Sequence, residues 1–257
     1  SAPRDEGTCM WVSLDSFWGT VGGGHLEWQL LFSAREWLKQ ILEAPPTPLD
    51  LAGRTQQFIL GAQLGQCCGG KIQVQMDYLT GLDALQHVLQ IQQSYEPVSI
   101  FGAGHVSLAL ARQLLLFSYE VMVKDSRDKE FWQIDSALQQ AFNSQLHYEQ
   151  TDPIADAVVD LKPNSKVLIL THNHVEDFEV LKACLIRQQK HSDLNTIGLI
   201  GSATKWASFR SRLLAMGFSR ADLDKVKCPI GLPAIKGKEP AVIALSVVAD
   251  WLHSKSS

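Results

Sequence analysis

Hydrophobic residues between positions 24 and 43 recur with the period of an α-helix. They predict an amphipathic helix over residues 24–43, which the pair Pro45-Pro46 ends. Two β-prone runs, residues 55–60 and 71–78, follow on either side of a glycine-rich loop and predict a short sheet. The apolar positions of the predicted helix are Leu30, Leu31, Ala34, Trp37, Leu38, Ile41 and Leu42.

From Pro97 onward, short apolar runs alternate with helical segments, which is typical of βαβ units around a parallel sheet. The last helix is predicted to begin after Glu239, with Pro240 in its first turn. The predicted fold class is α/β, with a Rossmann-type parallel sheet and helices on both faces in the C-terminal domain and a smaller α/β N-terminal domain. We place the domains at residues 1–95 and 96–257. The candidate strands of the C-terminal domain are residues 98–101, 120–124, 167–170 and 196–200.

Composition and charge narrow the class of protein. The 257 residues are 46% hydrophobic and 19% charged, as in an ordinary globular protein, and the net charge of -4 includes no Lys/Arg block that would suit nucleic acid. Five cysteines are too few and too scattered for a disulfide framework and favour a reducing compartment. The apolar stretch 241–249 is shorter than the roughly 20 residues of a spanning helix. We therefore expect a cytoplasmic protein without a membrane segment.

A glycine loop, Gly102-Ala103-Gly104-His105, stands between the first strand of the C-terminal domain and an apolar helix. Gly102 permits a tight turn, and Gly104 lets backbone amides approach a phosphate at the helix N-terminus. Ser107 replaces the usual third glycine, and Asp125 follows at about the ~20-residue spacing of a carboxylate that accepts from ribose hydroxyls. The pattern predicts a Rossmann fold and leaves open whether the loop holds a dinucleotide.

Two further strand ends carry polar clusters, Thr171-His172-Asn173-His174 with Asp177, and Ser202 with Lys205. We expect both to converge with the glycine loop, because ligands of open α/β sheets bind beyond the carboxyl ends of the strands. The two histidines and Asp177 could hold a metal, but the segment reads as a loop entering a helix, so no protein-bound metal is predicted. Lys205 has two interpretations, a phosphate-neutralising residue and a solvated lysine.

Cys67 and Cys68 stand on a glycine loop of the N-terminal domain. Thiols on such a loop can be exposed and activated, and a thiolate carries sulfur and binds soft metals well. The alternative is inert packing. Cys184, on the apolar face of a predicted helix, is interpreted as a core residue.

Taken together, these segments resemble the XdhC/CoxI proteins, accessory factors for xanthine dehydrogenase and related molybdenum hydroxylases. The similarity runs in order along nearly the whole chain. The matching segments are residues 1–4, 22–27, 64–70, 101–106, 125–127, 171–174, 197–202 with Thr204-Lys205, and 229–232.

The resemblance implies a maturation factor that binds the molybdenum cofactor, a molybdopterin, and protects it while a cysteine desulfurase installs the sulfido ligand. The factor would then deliver the cofactor to xanthine dehydrogenase or a related molybdenum hydroxylase. Cys68 would be the thiol near molybdenum or sulfur, and we also expect a homo-oligomer. The residues implied to line the pocket for the pterin and its phosphate are Gly102, Gly104, His105, Ser107, Asp125, Arg127, His172, His174, Ser202 and Lys205.

Two other functions remain alternatives at this stage. In an NAD(P)-dependent oxidoreductase, the same loop would bind the pyrophosphate and His172 or His174 would act as a general acid or base. A thiol redox sensor built on Cys67 and Cys68 has less support, because no Cys-x-x-Cys pair is present.

Overall fold

The structure is a computed structural model that describes residues 7–43, 53–60, 70–79 and 95–255. The chain divides into two compact units, Ser1–His87 and Val88–Ser257. The predicted domain boundary between residues 95 and 96 stays a prediction. The loop that carries Cys67 and Cys68 lies outside the described residues.

In its described residues, the N-terminal unit contains one long helix and two antiparallel strand pairs. The helix spans the predicted residues 24–43, and its buried Leu26 and Leu30 pack against partly buried apolar residues such as Phe58 and Val74 of the second strand pair. The predicted short sheet is confirmed, because its two strands pair antiparallel. The elements are β1 (Met10–Val12), β2 (Phe17–Gly19), α1 (Gly24–Glu43), β3 (Arg54–Leu60) and β4 (Gly70–Met76).

The C-terminal unit alternates strands and helices, as its sequence pattern predicts. Its strands are β5 (Glu96–Phe101), β6 (Tyr119–Asp125), β7 (Leu146–Gln150), β8 (Lys166–Ile169), β9 (Thr196–Leu199) and β10 (Val226–Lys227). The α-helices in its described residues are α2 (His105–Leu114), α3 (Ser136–Ala141), α4 (His174–His191), α5 (Ala203–Ala215), α6 (Arg220–Leu223) and α7 (Pro240–Lys255). Two 3-10 helices, Lys129–Phe131 and Ile154–Val158, follow β6 and β7.

The six strands form one sheet in the order β10-β9-β8-β5-β6-β7, and every neighbouring pair is parallel. This is the doubly wound order in which the chain reverses direction across the sheet, here between β5 and β8. The predicted fold class is confirmed. Of the helices in the described residues, none is long and apolar enough to cross a membrane.

Alternate side chains of the strands supply two apolar cores, one on each face of the sheet. On β8, Val167 and Ile169 join the core that α4 and α5 cover, whereas Leu168 joins the core under α2 and α7. This alternation follows from the two-residue period of a strand. The last helix begins at Pro240 as predicted, and Cys184 is fully buried in the first core, which confirms its interpretation as a core residue.

Gly102 holds the loop after β5 against the chain that leaves β8. Its φ is +113°, and a Cβ at this position would lie 2.2 Å from the carbonyl oxygen of Leu170 and 2.9 Å from Cα of Thr171. Both contacts are with backbone, so a side chain could fit only if the two strand ends moved apart. Glycine is therefore required here for both conformation and space.

We expect Gly102→Ala to lower the free energy of unfolding by about 3 kcal/mol or more, because strained backbone and a backbone clash add. Gly217→Ala is the matched control, with φ +93° and no atom within 4 Å of the added Cβ. It should cost only the conformational strain, about 1–2 kcal/mol. Urea unfolding of both variants measures the difference, and equal losses would contradict the clash.

Candidate functional site

The predicted site residues of the C-terminal unit lie at the carboxyl ends of four neighbouring strands. Gly102 and Gly104 follow β5, Asp125 ends β6, and the His172–His174 segment follows β8. Ser202 and Lys205 follow β9. This edge, at the reversal between β5 and β8, is where open α/β sheets bind their ligands.

The N-terminus of α2 is open to a ligand. Its N-cap residue Gly104 is extended, provides no side-chain cap, and has no atom within 4 Å of the position a Cβ would take. The first-turn amides of a helix have no partner within the helix and favour an anion. His105 is exposed beside them, whereas Ser107 is buried and its hydroxyl donates to the carbonyl of Gly102. The Ser107 hydroxyl thus holds the glycine loop through the Gly102 carbonyl, whereas the space beside Gly104 is free for a ligand.

The two neighbouring helices at the same edge are capped by their own side chains. Asn173 Oδ1 accepts from the amides of Val175 and Glu176, both at 2.9 Å, at the start of α4. Ser202 Oγ accepts from the amide of Lys205 at 3.2 Å at the start of α5. Among these three helices, α2 alone presents a first turn without a side-chain cap.

Asp125 is 1% exposed and ties the glycine loop to the end of β6. Its Oδ2 accepts from the Ala103 amide and from Arg127 Nη2, both at 2.7 Å. Its Oδ1 accepts from the amide and Nε of Arg127, both at 2.9 Å. Burial works to raise the pKa of Asp125, but the hydrogen bonds from Arg127 and Ala103 together hold it below its ordinary value of 3.8.

The pKa shift of Asp125 determines how its contribution to the stability of the fold depends on pH. Because the folded pKa is lower than the unfolded one, the ionised carboxylate stabilises the fold fully above the ordinary value of 3.8. That contribution is lost as the pH falls through the folded pKa.

Lys205 and Asp177 form a buried ion pair between the ends of β8 and β9. Their side chains are 8% and 2% exposed, and Lys205 Nζ donates to Asp177 Oδ2 and, at 2.8 Å, to the carbonyl of Ile200. The other oxygen of Asp177 accepts from the amide of Thr171 at 2.9 Å and from its hydroxyl at 2.8 Å. The charge of Lys205 is therefore matched within the unit.

His172 lies beside the carboxylate of Glu176 without a hydrogen bond between them. Its Nδ1 lies 3.2 Å from Glu176 Oε2, and its Nε2 lies 2.9 Å from Nδ2 of Asn173. The other oxygen of Glu176 accepts from the hydroxyl of Ser126 at 2.6 Å, which joins the loop after β6 to α4. His174 begins α4 and contacts the ring of Phe209 edge-on.

An open cleft of about 300 Å³ lies at the ends of β8 and β9. Its lining residues are Thr171, His172, His174, Asp177, Ile200, Gly201, Ser202 and Lys205. Four of the predicted site residues thus share one cleft. The others, Gly102, Gly104, His105, Ser107, Asp125 and Arg127, lie at the neighbouring ends of β5 and β6 and are not part of its lining.

Two contributors to this edge were not identified from the sequence, Ser126 and Glu176. Glu176 stands four residues after His172, but His172 precedes the N-cap of α4, so the spacing at which helical side chains meet gives no signal for this pair. The bond from Ser126 spans 50 residues and gives no local signal.

The thiols of the described residues differ in environment. Burial raises the pKa of Cys184 to about 12, which makes it inert at neutral pH. Burial also raises the pKa of Cys228, which feels the nearby charges of Lys205 and Asp177. Within the ranges that the structure describes, no three His, Cys, Asp or Glu side chains are grouped so that they could hold a metal.

Comparison with known families identifies the chain. The family described as the XdhC Rossmann domain matches residues 98–251, more than half of the chain. A second family, XdhC and CoxI, matches residues 1–42. The chain belongs to the XdhC/CoxI family.

Two proteins similar to this XdhC/CoxI member are informative. YqeB of Escherichia coli (strain K12), an uncharacterized protein, is 27% identical over 261 residues that cover 100% of this chain and 42% of YqeB. The chain thus spans less than half the length of that relative. A solved structure described as a xanthine dehydrogenase from Bacillus halodurans is 20% identical, with a TM-score of 0.68 over 100% of this chain and 88% of its own. At that identity the similarity concerns the fold.

The Lys205–Asp177 pair of this XdhC domain is expected to be a strong stability determinant. Asp177→Ala leaves a buried ammonium without its counter-charge, which costs about 3–5 kcal/mol of unfolding free energy. Lys162→Ala is the control, because Lys162 is 63% exposed in its pair with Glu120 and should contribute less than about 1 kcal/mol. Urea unfolding measures both. A loss for Asp177→Ala no larger than that of the control would refute the role of the pair.

Proposed function

We propose that this chain binds the molybdenum cofactor and acts as an accessory factor for xanthine dehydrogenase or a related molybdenum hydroxylase. It holds the cofactor during sulfuration by a cysteine desulfurase and then delivers it. Membership of the XdhC/CoxI family supports an accessory role. The details of cofactor, sulfuration and partner rest on the family resemblance of the sequence segments.

The observation that carries the proposal is the open N-terminus of α2. The molybdenum cofactor carries a phosphate, and the first turn of α2 offers amides, a favourable dipole and free space at Gly104. The residues present therefore fit an anionic group of this kind. When bound, the cofactor supplies the molybdenum centre used by the recipient enzyme.

The chain's own residues have separate tasks in this proposal. The amides at the start of α2 bind the phosphate, since the charge of Lys205 is matched by Asp177. The polar cleft beside them, with His172, His174 and Ser202, accepts the hydrogen-bonding edge of the pterin. Glu176 Oε2 lies 3.2 Å from Nδ1 of His172, so a protonated His172 would meet a counter-charge there.

Cys68 is the proposed contact to molybdenum or sulfur. Its loop lies outside the described residues, so this assignment rests on the match of Cys68-Gly69-Gly70 to the Cys-Gly-Gly of the family. The expected cytoplasmic location and homo-oligomer remain predictions.

Gly104→Ala tests the phosphate site without disturbing the fold. The added Cβ meets nothing within 4 Å, and φ at the N-cap is -94°, so the melting temperature should not change. The methyl group would fill the space proposed for the phosphate, and affinity for the molybdenum cofactor should fall by about tenfold or more, ~1.4 kcal/mol.

Isothermal titration of the purified protein under anaerobic conditions measures this affinity. Arg112→Ala, which removes an exposed positive charge from the other end of α2, should bind as the wild type does. An unchanged affinity in Gly104→Ala would exclude the phosphate from this position. Tight binding of NAD without binding of the molybdenum cofactor would favour the oxidoreductase alternative.

Substitution of the adjacent residues Cys68 and Cys67, one at a time, tests the proposed contact of Cys68 to molybdenum or sulfur. Cys68→Ala should abolish activation of a recipient hydroxylase in a reconstituted assay with cysteine desulfurase, because the contacting thiol is lost. Cys67→Ala should retain activation. Equal tolerance of the two substitutions would remove Cys68 from the mechanism.

A further inference from the structure

The carboxylate of Asp125 has no acceptor capacity left for a ligand. A carboxylate offers about four lone-pair directions. Asp125 receives four donors, namely the Ala103 amide and three groups of Arg127, all at 2.7–2.9 Å. The depressed pKa of the Asp125 carboxyl agrees with a carboxylate that these donors keep ionised.

The two residues that donate to Asp125, Ala103 and Arg127, are themselves held by hydrogen bonds to their carbonyl groups. The Ala103 carbonyl accepts from the amide of Gln133 at 2.8 Å, so both polar groups of this loop residue are tied. The Arg127 carbonyl accepts from Trp132 Nε1 at 2.9 Å. The segment after β6 and the glycine loop therefore form one bonded unit that would have to come apart before Asp125 could turn to a ligand.

In dinucleotide-binding Rossmann domains, a carboxylate at the end of the second strand accepts from the ribose hydroxyls of NAD. Asp125 occupies that sequence position at the end of β6, but its oxygens are directed to Ala103 and Arg127. We propose that Asp125 is a positioning residue that fixes the glycine loop for a phosphate, and that its engagement by Arg127 excludes nicotinamide adenine dinucleotides from this site. The inference rests on the proposed function, since it concerns the specificity of the same loop.

Removal of the Arg127 side chain should allow the site to bind nicotinamide adenine dinucleotides. In Arg127→Ala, Asp125 keeps only backbone donors and gains free lone pairs, so the variant should bind NADH at least about tenfold more tightly than the wild type. For the wild type, we expect a dissociation constant for NADH and NADPH weaker than about 1 mM. Arg112→Ala removes another arginine that pairs with an aspartate of this unit and should not gain affinity. NADH fluorescence titration measures all three proteins.

The positioning role of Asp125 is tested separately by hydrogen exchange, and this test does not require that Arg127→Ala folds. In Asp125→Asn, hydrogen exchange of the Ala103 amide should accelerate at least about tenfold, while the amide of Val121, in the sheet, should exchange as in the wild type. Titration with the molybdenum cofactor is run in parallel.

Each outcome decides the inference. Micromolar binding of NADH or NADPH to the wild type, no gain in folded Arg127→Ala, or an unchanged Ala103 exchange rate in Asp125→Asn would overturn it. Failure of the molybdenum cofactor to bind, with the NADH and exchange results as expected, would refute the proposed function and leave the role of Asp125 standing.

Discussion

At the reversal of the sheet, the main chain of Gly102 passes so close to β8 that a Cβ there would lie 2.2 Å from the carbonyl oxygen of Leu170. This approach sets the distance between the two loops on which the site depends. It brings the N-terminus of α2 beside the segment that carries His172 and His174. That segment is held in turn by the hydrogen bond from the Thr171 amide to Asp177. The edge is thus assembled by backbone proximity and then fixed by side chains.

The charged side chains of this edge serve mainly to hold the edge together. Asp125 with Arg127, and Asp177 with Lys205, are pairs in which each charge meets its counter-charge inside the unit. Buried charges are tolerated when they are paired and hydrogen-bonded in this way. Within the part of this edge that the structure describes, the amides at the start of α2 are open to an anionic ligand, because Gly104 provides neither side chain nor cap.

The sequence predicted the elements whose signals are local. Helix α1 has the periodicity and proline stop that define it, and β5, β8 and β9 are apolar runs beside glycine or polar turns. The edge strand β7 was missed because Leu146–Gln150 is polar beyond its first residue, and β10 because it has only two residues. The candidate site residues of the C-terminal unit lie at the strand ends where the sequence pattern placed them. The pairing of Lys205 and the saturation of Asp125 depend on contacts between distant segments, which no local pattern encodes.

The central claim is that the first turn of α2 receives the phosphate of the cofactor. Amide chemical shifts of ¹⁵N-labelled protein, followed while the molybdenum cofactor is added, test it directly because each amide reports its own hydrogen bonding. The largest changes are expected at the amides of Gly104, His105 and Val106, with smaller ones at His172 and His174. Changes confined to residues away from the carboxyl edge of the sheet would contradict it.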